Sequence, residues 1–146
     1  MCSANNHQAA WELSNTESVE QAGIINAKGS ALLVIDFQNF NMNKKGFLGH
    51  LFEDKNSVIP KTKAIIEKSR ENNIPVIYLN TILNPELMPN TQLFTKLKKV
   101  IPWDKLTSAQ LAWNMDVLDE LKPHQEDYIV EKGSWSNGFR ETNLKE

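Results

Sequence analysis

The chain has 146 residues, of which 40% are hydrophobic and 23% are charged, and its formal net charge at pH 7 is −2. This composition suits one globular domain, and the interspersed charges provide neither a basic stripe for nucleic acid nor a polybasic segment for a membrane surface. The apolar runs are too short to span a bilayer, and the first thirty residues show no secretory signal pattern. We therefore expect a cytoplasmic protein that binds neither nucleic acid nor membrane.

The first 29 residues are rich in Asn, Gln, Ser and Glu, which is typical of an N-terminal arm outside the main domain. Two short apolar patches in this arm could dock on the domain or on a neighbouring subunit, and a mobile terminus is the alternative. The only cysteine, Cys2, lies in the arm. It cannot form an internal disulfide, and we predict that it is chemically inert.

The segment ALLVIDFQ, residues 31–38, begins the predicted domain. Its consecutive apolar residues, rich in β-branched side chains, predict a strand that is buried on both faces and delivers Asp36 to an edge of the sheet. An Asn- and Gly-rich stretch, residues 39–54, follows as an irregular loop. Loops at this end of a strand commonly build functional sites.

A helix and a second strand come next in the predicted order. Ser57 is predicted to cap the helix, with Pro60 in its third position, where a missing N–H costs little. Asn72 and Asn73 end this helix, and the segment PVIYLNT, residues 75–81, predicts a strand. Strand, helix and strand in this order predict a parallel pair.

The second half of the chain repeats the alternation of helices and strands. Residues 92–100 predict a short helix, and residues 107–121 predict a longer one. Residues 127–132, DYIVEK, predict a third parallel strand that ends in Lys132, followed by another Gly- and Ser-rich loop. The pattern as a whole predicts an α/β fold of three layers with helices around a parallel sheet.

Asp36 and Lys132 are the candidate catalytic residues, because both end predicted strands. Ligands bind at the carboxyl ends of the strands in open parallel sheets. A carboxylate there can act as a general base toward a thiol, hydroxyl or water, and an ammonium group can stabilise developing negative charge. The alternative is a salt bridge that only holds the strand ends together.

Three motifs together resemble the isochorismatase-like cysteine hydrolase family. They are ALLVIDFQN, PVIYLNT and DYIVEKGSWSNGFRETNL, and they occur in the family's order between residues 30 and 144. The resemblance implies a Rossmann-like three-layer αβα domain over residues 30–146, with an aspartate, a lysine and a later cysteine as the catalytic triad. The matching positions are Val34, Ile35, Asp36, Gln38, Lys132, Phe139, Thr142 and Leu144.

The chain departs from the family pattern at its end. In the family the cysteine follows a fourth strand, whereas this sequence ends at Glu146, and Cys2 matches no family position. The resemblance implies thiol-dependent hydrolysis of a small amide, imide or vinyl-ether substrate, but we expect this chain alone to be inactive. Its first strand should then lie at a sheet edge. We expect a homo-oligomer or a complementing C-terminal chain, with a non-catalytic interaction half-domain as the alternative function.

The predicted substrate contacts lie in the two loops that follow the catalytic strands. The first loop lacks the second acid of the family's usual Q-x-D-F, and we predict contacts from Asn39 and Phe40. The second loop is one residue longer than the family's K-x-x-x-S-x-F form, so that either Ser136 or Asn137 takes the place of the serine. The predicted contacts in that loop are Trp135, Ser136 and Phe139.

No cofactor or metal is predicted. Some relatives hold a metal through an Asp-x-His-x-x-His pattern after the second strand, but this chain reads NTILNPELMPN there and offers only Glu86. The three histidines, His7, His50 and His124, are scattered and are predicted to lie at the surface. Neither glycine-rich phosphate-binding motif occurs, which argues against phosphate chemistry.

Overall fold

A three-stranded parallel sheet is the centre of the computed structural model, which describes residues 27–51, 55–86, 88, 91–133 and 137–144. The strands are β1 (Leu32–Ile35), β2 (Val76–Thr81) and β3 (Tyr128–Lys132), in the order β1-β2-β3. The α-helices are α1 (Asn39–Met42), α2 (Lys55–Glu71), α3 (Gln92–Val100) and α4 (Ser108–Met115), and short 3₁₀ helices cover Gly49–Leu51, Trp103–Lys105 and Asp119–Leu121. The predicted α/β fold with a parallel sheet is confirmed, whereas the arm before residue 27 lies outside the described residues.

The strand register brings the carboxyl ends of all three strands to one edge of the sheet. Ile35 pairs with Leu79, so that Asp36 follows directly beyond the last paired residue of β1. Thr81 pairs with Lys132 at the ends of β2 and β3. Because these pairings are parallel, Asp36, Thr81 and Lys132 all lie at the same end of the sheet.

One face of the sheet packs on α2 and on the segment that follows α4. The buried residues of this cluster are Val34, Ile66, Val76, Tyr78, Val117, Leu118 and Leu121. A second buried cluster joins the loops beyond the strands to α3 through Phe40, Leu48, Leu83, Met88, Phe94 and Leu97. Burial of these apolar side chains is the main force that holds the layers together.

The prediction that the first strand is buried on both faces is wrong. Leu33 is 40% exposed and Ile35 is 47% exposed, whereas Val34 between them is buried. Successive side chains of a strand point to opposite faces, so the described elements cover one face of β1 and leave the other accessible. The expected position of β1 at an edge of the sheet agrees with the observed strand order.

Two helix boundaries differ from the prediction, and α3 agrees with it. The predicted irregular loop over residues 39–54 is also wrong in part, because it contains α1 and the 3₁₀ helix Gly49–Leu51. The α2 helix begins at Lys55, so Ser57 lies inside the helix and is not its cap, and Pro60 falls in the second turn. The α4 helix ends at Met115 rather than at residue 121. Its continuation is extended because Val117 forms an antiparallel bridge with Gln38, so tertiary pairing overrides the helical spacing of its apolar residues. None of the helices in the described part of the chain has both the length and the hydropathy of a transmembrane segment.

Candidate active site at the carboxyl ends of the strands

Asp36 turns the chain sharply away from β1. Its φ angle is +59°, in the left-handed region, which asparagine and aspartate tolerate better than most residues. The Asp36 amide still donates to the Leu79 carbonyl at 3.1 Å, and the Asn41 side chain donates to the Asp36 carbonyl at 3.3 Å. Such a backbone costs about 1–3 kcal/mol and persists only where its surroundings determine it, as they commonly do at functional sites.

The Asp36 carboxylate is held by one donor on each oxygen. Lys132 Nζ lies 3.1 Å from Oδ2, and the Thr81 hydroxyl donates to Oδ1 at 2.7 Å. The Lys132 side chain is only 3% exposed, whereas the Asp36 side chain is 29% exposed. The structure therefore brings the two predicted catalytic residues together, with the ammonium group buried and the carboxylate accessible.

The two side chains of this pair carry opposite charges that lie close together. Removing an ammonium group from water is costly unless an opposite charge is close, and Asp36 provides that charge for Lys132. The carboxylate oxygens have further lone pairs beyond the two donors seen here, and the exposed part of Asp36 can accept a proton from an incoming group. A base with a fixed cationic neighbour is a suitable arrangement for proton transfer beside a developing negative charge.

Thr81 is a site residue that was not predicted from the sequence, and Gln38 had no predicted role beyond its place in a motif. Both side chains are almost completely buried. Gln38 Oε1 accepts from the Thr81 amide at 2.7 Å, and Gln38 Nε2 donates to the Thr81 carbonyl at 3.0 Å. The position of Thr81 at the end of the second predicted strand, at the same end of the sheet as Asp36, was the available signal.

The predicted contact residues of the first loop form the start of α1 and anchor this part of the chain. Asn39 is buried, and its Nδ2 donates to the Trp113 carbonyl at 2.9 Å. The Asn39 backbone N–H donates to the Asp116 carbonyl at 2.8 Å. Phe40 is completely buried in the second cluster. These contacts fix the loop beside Asp36, and a substrate contact from either residue stays a prediction.

The second loop is described only in part. Trp135 and Ser136 lie outside the described residues. The turn that follows contains Phe139, whose ring is exposed, and Asn137, whose Oδ1 accepts from the Phe139 amide at 3.0 Å. Gly138 lies so close to the Leu79 side chain that an added Cβ would be 2.4 Å from a methyl carbon, so this turn packs on the sheet.

The described residues contain no cluster of three or more His, Cys, Asp or Glu side chains that could hold a metal ion. Cys2, the one cysteine of the sequence, falls outside them. The chemistry that the described part of the site can offer is therefore that of the Asp36 carboxylate, the Lys132 ammonium group and the Thr81 hydroxyl.

Solved structures with the same fold include several hydrolases. A cysteine hydrolase from Pseudomonas syringae pv. phaseolicola superposes with a TM-score of 0.65 and 23% identity, covering 83% of this chain and 54% of that chain. The N-carbamoylsarcosine amidase from Thermoplasma acidophilum superposes with a TM-score of 0.54 and 24% identity, covering 80% of this chain and 58% of that chain. At these identities the likeness establishes the fold.

Sequence comparison relates the chain to curated amidohydrolases and to a family. The ureidoacrylate amidohydrolase RutB of Yersinia enterocolitica is 29% identical over 128 residues, covering 79% of this chain and 55% of that protein, and its Acinetobacter baylyi counterpart is 28% identical over 132 residues, covering 79% and 52%. The chain thus spans about half the length of the curated relatives that it matches. The isochorismatase domain matches residues 30–146, and the chain belongs to the isochorismatase family of hydrolases.

Proposed function

We propose that Asp36 and Lys132 are the general base and its cationic partner in thiol-dependent hydrolysis of a small amide, imide or vinyl-ether substrate. The observation that carries the proposal is the asymmetry of the pair: Lys132 is buried, and the carboxylate that it holds is 29% exposed. A salt bridge that served only stability would gain nothing from an accessible carboxylate on a strained backbone. The accessible side of Asp36 is where a proton donor can approach.

The proposed steps for an amide start with a thiol placed beside Asp36. Asp36 accepts the thiol proton, and the thiolate sulfur forms a bond with the carbonyl carbon while Lys132 stabilises the negative charge. The C–N bond then breaks, and the proton held by Asp36 passes to the leaving nitrogen. Water, deprotonated by Asp36, attacks the thioester, and the thiol leaves with its proton restored. The overall change is the addition of one water across the amide bond.

The thiol in this proposal is contributed by further polypeptide and not by Cys2. Cys2 precedes β1 by thirty residues in the sequence, and the family motifs place no nucleophile there. The isolated chain is therefore expected to be inactive. The relatives' named activity makes ureidoacrylate the first substrate to test, followed by other small amides.

The test compares the chain alone with the chain mixed with the cysteine-bearing C-terminal half of a full-length relative. Turnover is expected only in the mixture, and Asp36→Asn is expected to lower it about 10²- to 10⁴-fold, the usual contribution of a general base. Asp104→Asn removes an exposed carboxylate elsewhere and serves as the matched control. Full activity of Asp36→Asn, or turnover by the chain alone, would contradict the proposal.

A second candidate function is that of a non-catalytic half-domain that binds a complementing chain through β1. The Leu32 amide donates to the Pro75 carbonyl just before β2, and the Asp36 amide donates to the Leu79 carbonyl of β2. The amides of Leu33 and Ile35 therefore point the other way, toward the outer edge. The stretch from Ala31 to Ile35 contains none of the charges or prolines that commonly protect an edge strand from pairing. An added strand would find both backbone partners and apolar surface there.

Charge substitutions at the two edges of the sheet test this second function. Ile35→Lys places a charge on the β1 edge, and Ile129→Lys places one on β3, where the native side chain is also exposed. Size-exclusion chromatography with the C-terminal half should show loss of the complex for Ile35→Lys and an unchanged complex for Ile129→Lys. Equal effects of the two substitutions would argue against docking at β1, and a complex without turnover would favour the interaction role.

A further inference from the structure

The Gln38 side chain takes the place of a backbone hydrogen-bonding partner of β2 at the point where β1 ends. The regular ladder between β1 and β2 stops after Ile35 and Leu79, because Asp36 turns away. Thr81 is the next residue of β2 whose backbone N–H points toward β1. This N–H donates to Gln38 Oε1 at 2.7 Å, and the Thr81 carbonyl accepts from Gln38 Nε2 at 3.0 Å. A backbone N–H can only donate and a C=O can only accept, so these contacts also fix which way the amide of Gln38 is turned.

Gln38 also contacts the end of α4 and the segment that follows it. Its Nε2 also donates to the Met115 carbonyl, and the backbone around it bridges to Val117. Gln38 is 1% exposed, so neither water nor a ligand competes for these bonds. Buried polar groups whose hydrogen bonds are all made hold their neighbours in one geometry. Gln38 therefore fixes Thr81 relative to the segment that follows α4.

Thr81 in turn stands between the two charged groups. Its hydroxyl donates to Asp36 Oδ1 at 2.7 Å, and its backbone pairs in register with Lys132 on β3. The Ile82 amide donates to the Lys132 carbonyl at 3.1 Å, which ties the end of β2 to the residue that bears the ammonium group. A shift of Thr81 would thus change both the orientation of the carboxylate and its separation from Lys132.

We infer that Gln38 and Thr81 act as positioning residues that hold the Asp36 carboxylate in its reactive orientation against Lys132. This inference rests on the proposed function, and neither residue is assigned a contact with substrate. Without the Thr81 hydroxyl, the carboxylate keeps Lys132 as a partner but loses the donor on its other oxygen. Rotation about the side chain then becomes easier, and the orientation toward the thiol is lost. Small misplacements of a reacting group lower rates strongly.

Two substitutions at one position separate the hydroxyl from the packing of Thr81. Thr81→Val keeps the branched shape and removes the hydroxyl, whereas Thr81→Ser keeps the hydroxyl and removes the methyl group. The first readout is the ¹³C NMR signal of the Asp36 carboxyl carbon in the chain itself, which needs no turnover. Thr81→Val is expected to shift this signal and Thr81→Ser to leave it at the wild-type position. If Thr81→Val does not fold, Thr81→Ala takes its place.

The second readout is turnover in the mixture with the cysteine-bearing half. Loss of one hydrogen bond to a charged group is expected to lower kcat about 10- to 100-fold for Thr81→Val, with KM nearly unchanged. Thr81→Ser should recover most of kcat. Gln38→Met, which is similar in size but makes no hydrogen bonds, should shift the Asp36 carboxyl signal in the same direction as Thr81→Val. A defect of folding alone would not produce this pattern.

The outcomes distinguish this inference from the proposed function. A wild-type carboxyl signal and wild-type kcat in folded Thr81→Val would overturn the positioning role, even if Asp36→Asn abolishes turnover. Full activity of Asp36→Asn would instead overturn the proposed function, whatever the NMR spectra show. Equal losses in Thr81→Val and Thr81→Ser would also overturn the inference, because the hydroxyl would then not be the decisive group.

Discussion

The two ends of β3 carry two ion pairs that are built differently. Lys132, at its carboxyl end, meets Asp36, and Asp127, just before its first residue, meets Arg70 of α2. The Asp127 side chain is 2% exposed, and it accepts from Arg70 Nε, Arg70 Nη2 and the His124 amide. Asp36 keeps almost a third of its surface accessible and stands on a left-handed backbone. The Arg70–Asp127 pair is closed off as a stabilising ion pair would be, whereas the accessible carboxylate of the Asp36–Lys132 pair suits the catalytic role that we propose for it.

The Arg70–Asp127 pair belongs to a closed network at the start of β3. Arg70 Nη2 also donates to the Tyr78 hydroxyl at 3.3 Å, and that hydroxyl donates to the Leu121 carbonyl at 2.7 Å. Burial raises the pKa of Tyr78, so the phenol stays neutral and remains a donor. Arg70, Asp127 and the Tyr78 hydroxyl all have hydrogen-bond partners within this network.

The largest expected effect on stability is that of Asp127→Asn. The substitution leaves Arg70 without its charged partner in a mostly buried position, so the free energy of unfolding should fall by about 3–5 kcal/mol. Urea denaturation followed by circular dichroism measures this loss. A change below about 1 kcal/mol, the range of surface salt bridges, would contradict the structural role of this pair.

Asp36→Asn is expected to have a smaller effect on the same measurement. Asparagine also tolerates the left-handed backbone and can still accept from Thr81, but Lys132 loses its charged partner. Since the site is partly open to water, we expect a loss of about 2 kcal/mol. Asp36→Ala should cost more than Asp36→Asn, because alanine is strained at this φ angle. The opposite order would contradict the account of the Asp36 backbone.

The pH dependence of stability should report on the ion pair at the start of β3. Burial alone would raise the pKa of Asp127, but hydrogen bonds from Arg70 and His124 and the charge of Arg70 outweigh it, and the net pKa is lowered. A lowered carboxyl pKa stabilises the fold above the unfolded value of about 4, and this contribution is lost as the pH falls through the folded value.

Wild-type stability should therefore decrease below about pH 4 by up to about 1.4 kcal/mol per pH unit from this one group. The free energy of unfolding of Asp127→Asn, measured by urea denaturation at a series of pH values, should decrease less steeply below about pH 4. If the free energy of unfolding of both proteins decreased equally below about pH 4, Asp127 would not be a source of the pH dependence.

The smallest expected change in stability is that of Lys132→Met, and Arg70→Met is its matched control. Methionine replaces a buried ammonium group by an apolar side chain, and Asp36 can be hydrated at its exposed side, so stability should change by less than about 1 kcal/mol. Arg70→Met should be strongly destabilising, because it leaves Asp127 charged and buried. Equal losses of stability in the two variants would mean that the two ion pairs stabilise the fold to the same extent.

The sequence was a good guide to the strands and to the two charged residues. Apolar runs that end in Asp36 and Lys132 are local patterns, and parallel strands necessarily bring their carboxyl ends to one edge. The α3 helix was also predicted with its observed bounds, residues 92–100.

The errors arise where distant segments decide the local structure. The apolar spacing of residues 107–121 favours one helix, but pairing of residues 116–118 with the segment after β1 stops it at Met115. The end of the second strand pointed to Thr81, but the hydrogen bonds that hold it come from the Gln38 side chain, 43 positions away, and are not visible in the local sequence. The exposure of Leu33 and Ile35 depends on what covers a face of the sheet, which a strand's own residues do not encode.

The most direct test of a catalytic role for the Asp36–Lys132 pair is the turnover of Lys132→Met in the mixture with the cysteine-bearing half. The variant should remain folded with stability within about 1 kcal/mol of the wild type, and its kcat should fall about 10²- to 10³-fold, as expected when a charge-stabilising group is removed. Wild-type turnover of the folded variant would contradict the account. In that case the ion pair at the carboxyl end of β3 would be as structural as the one at its start.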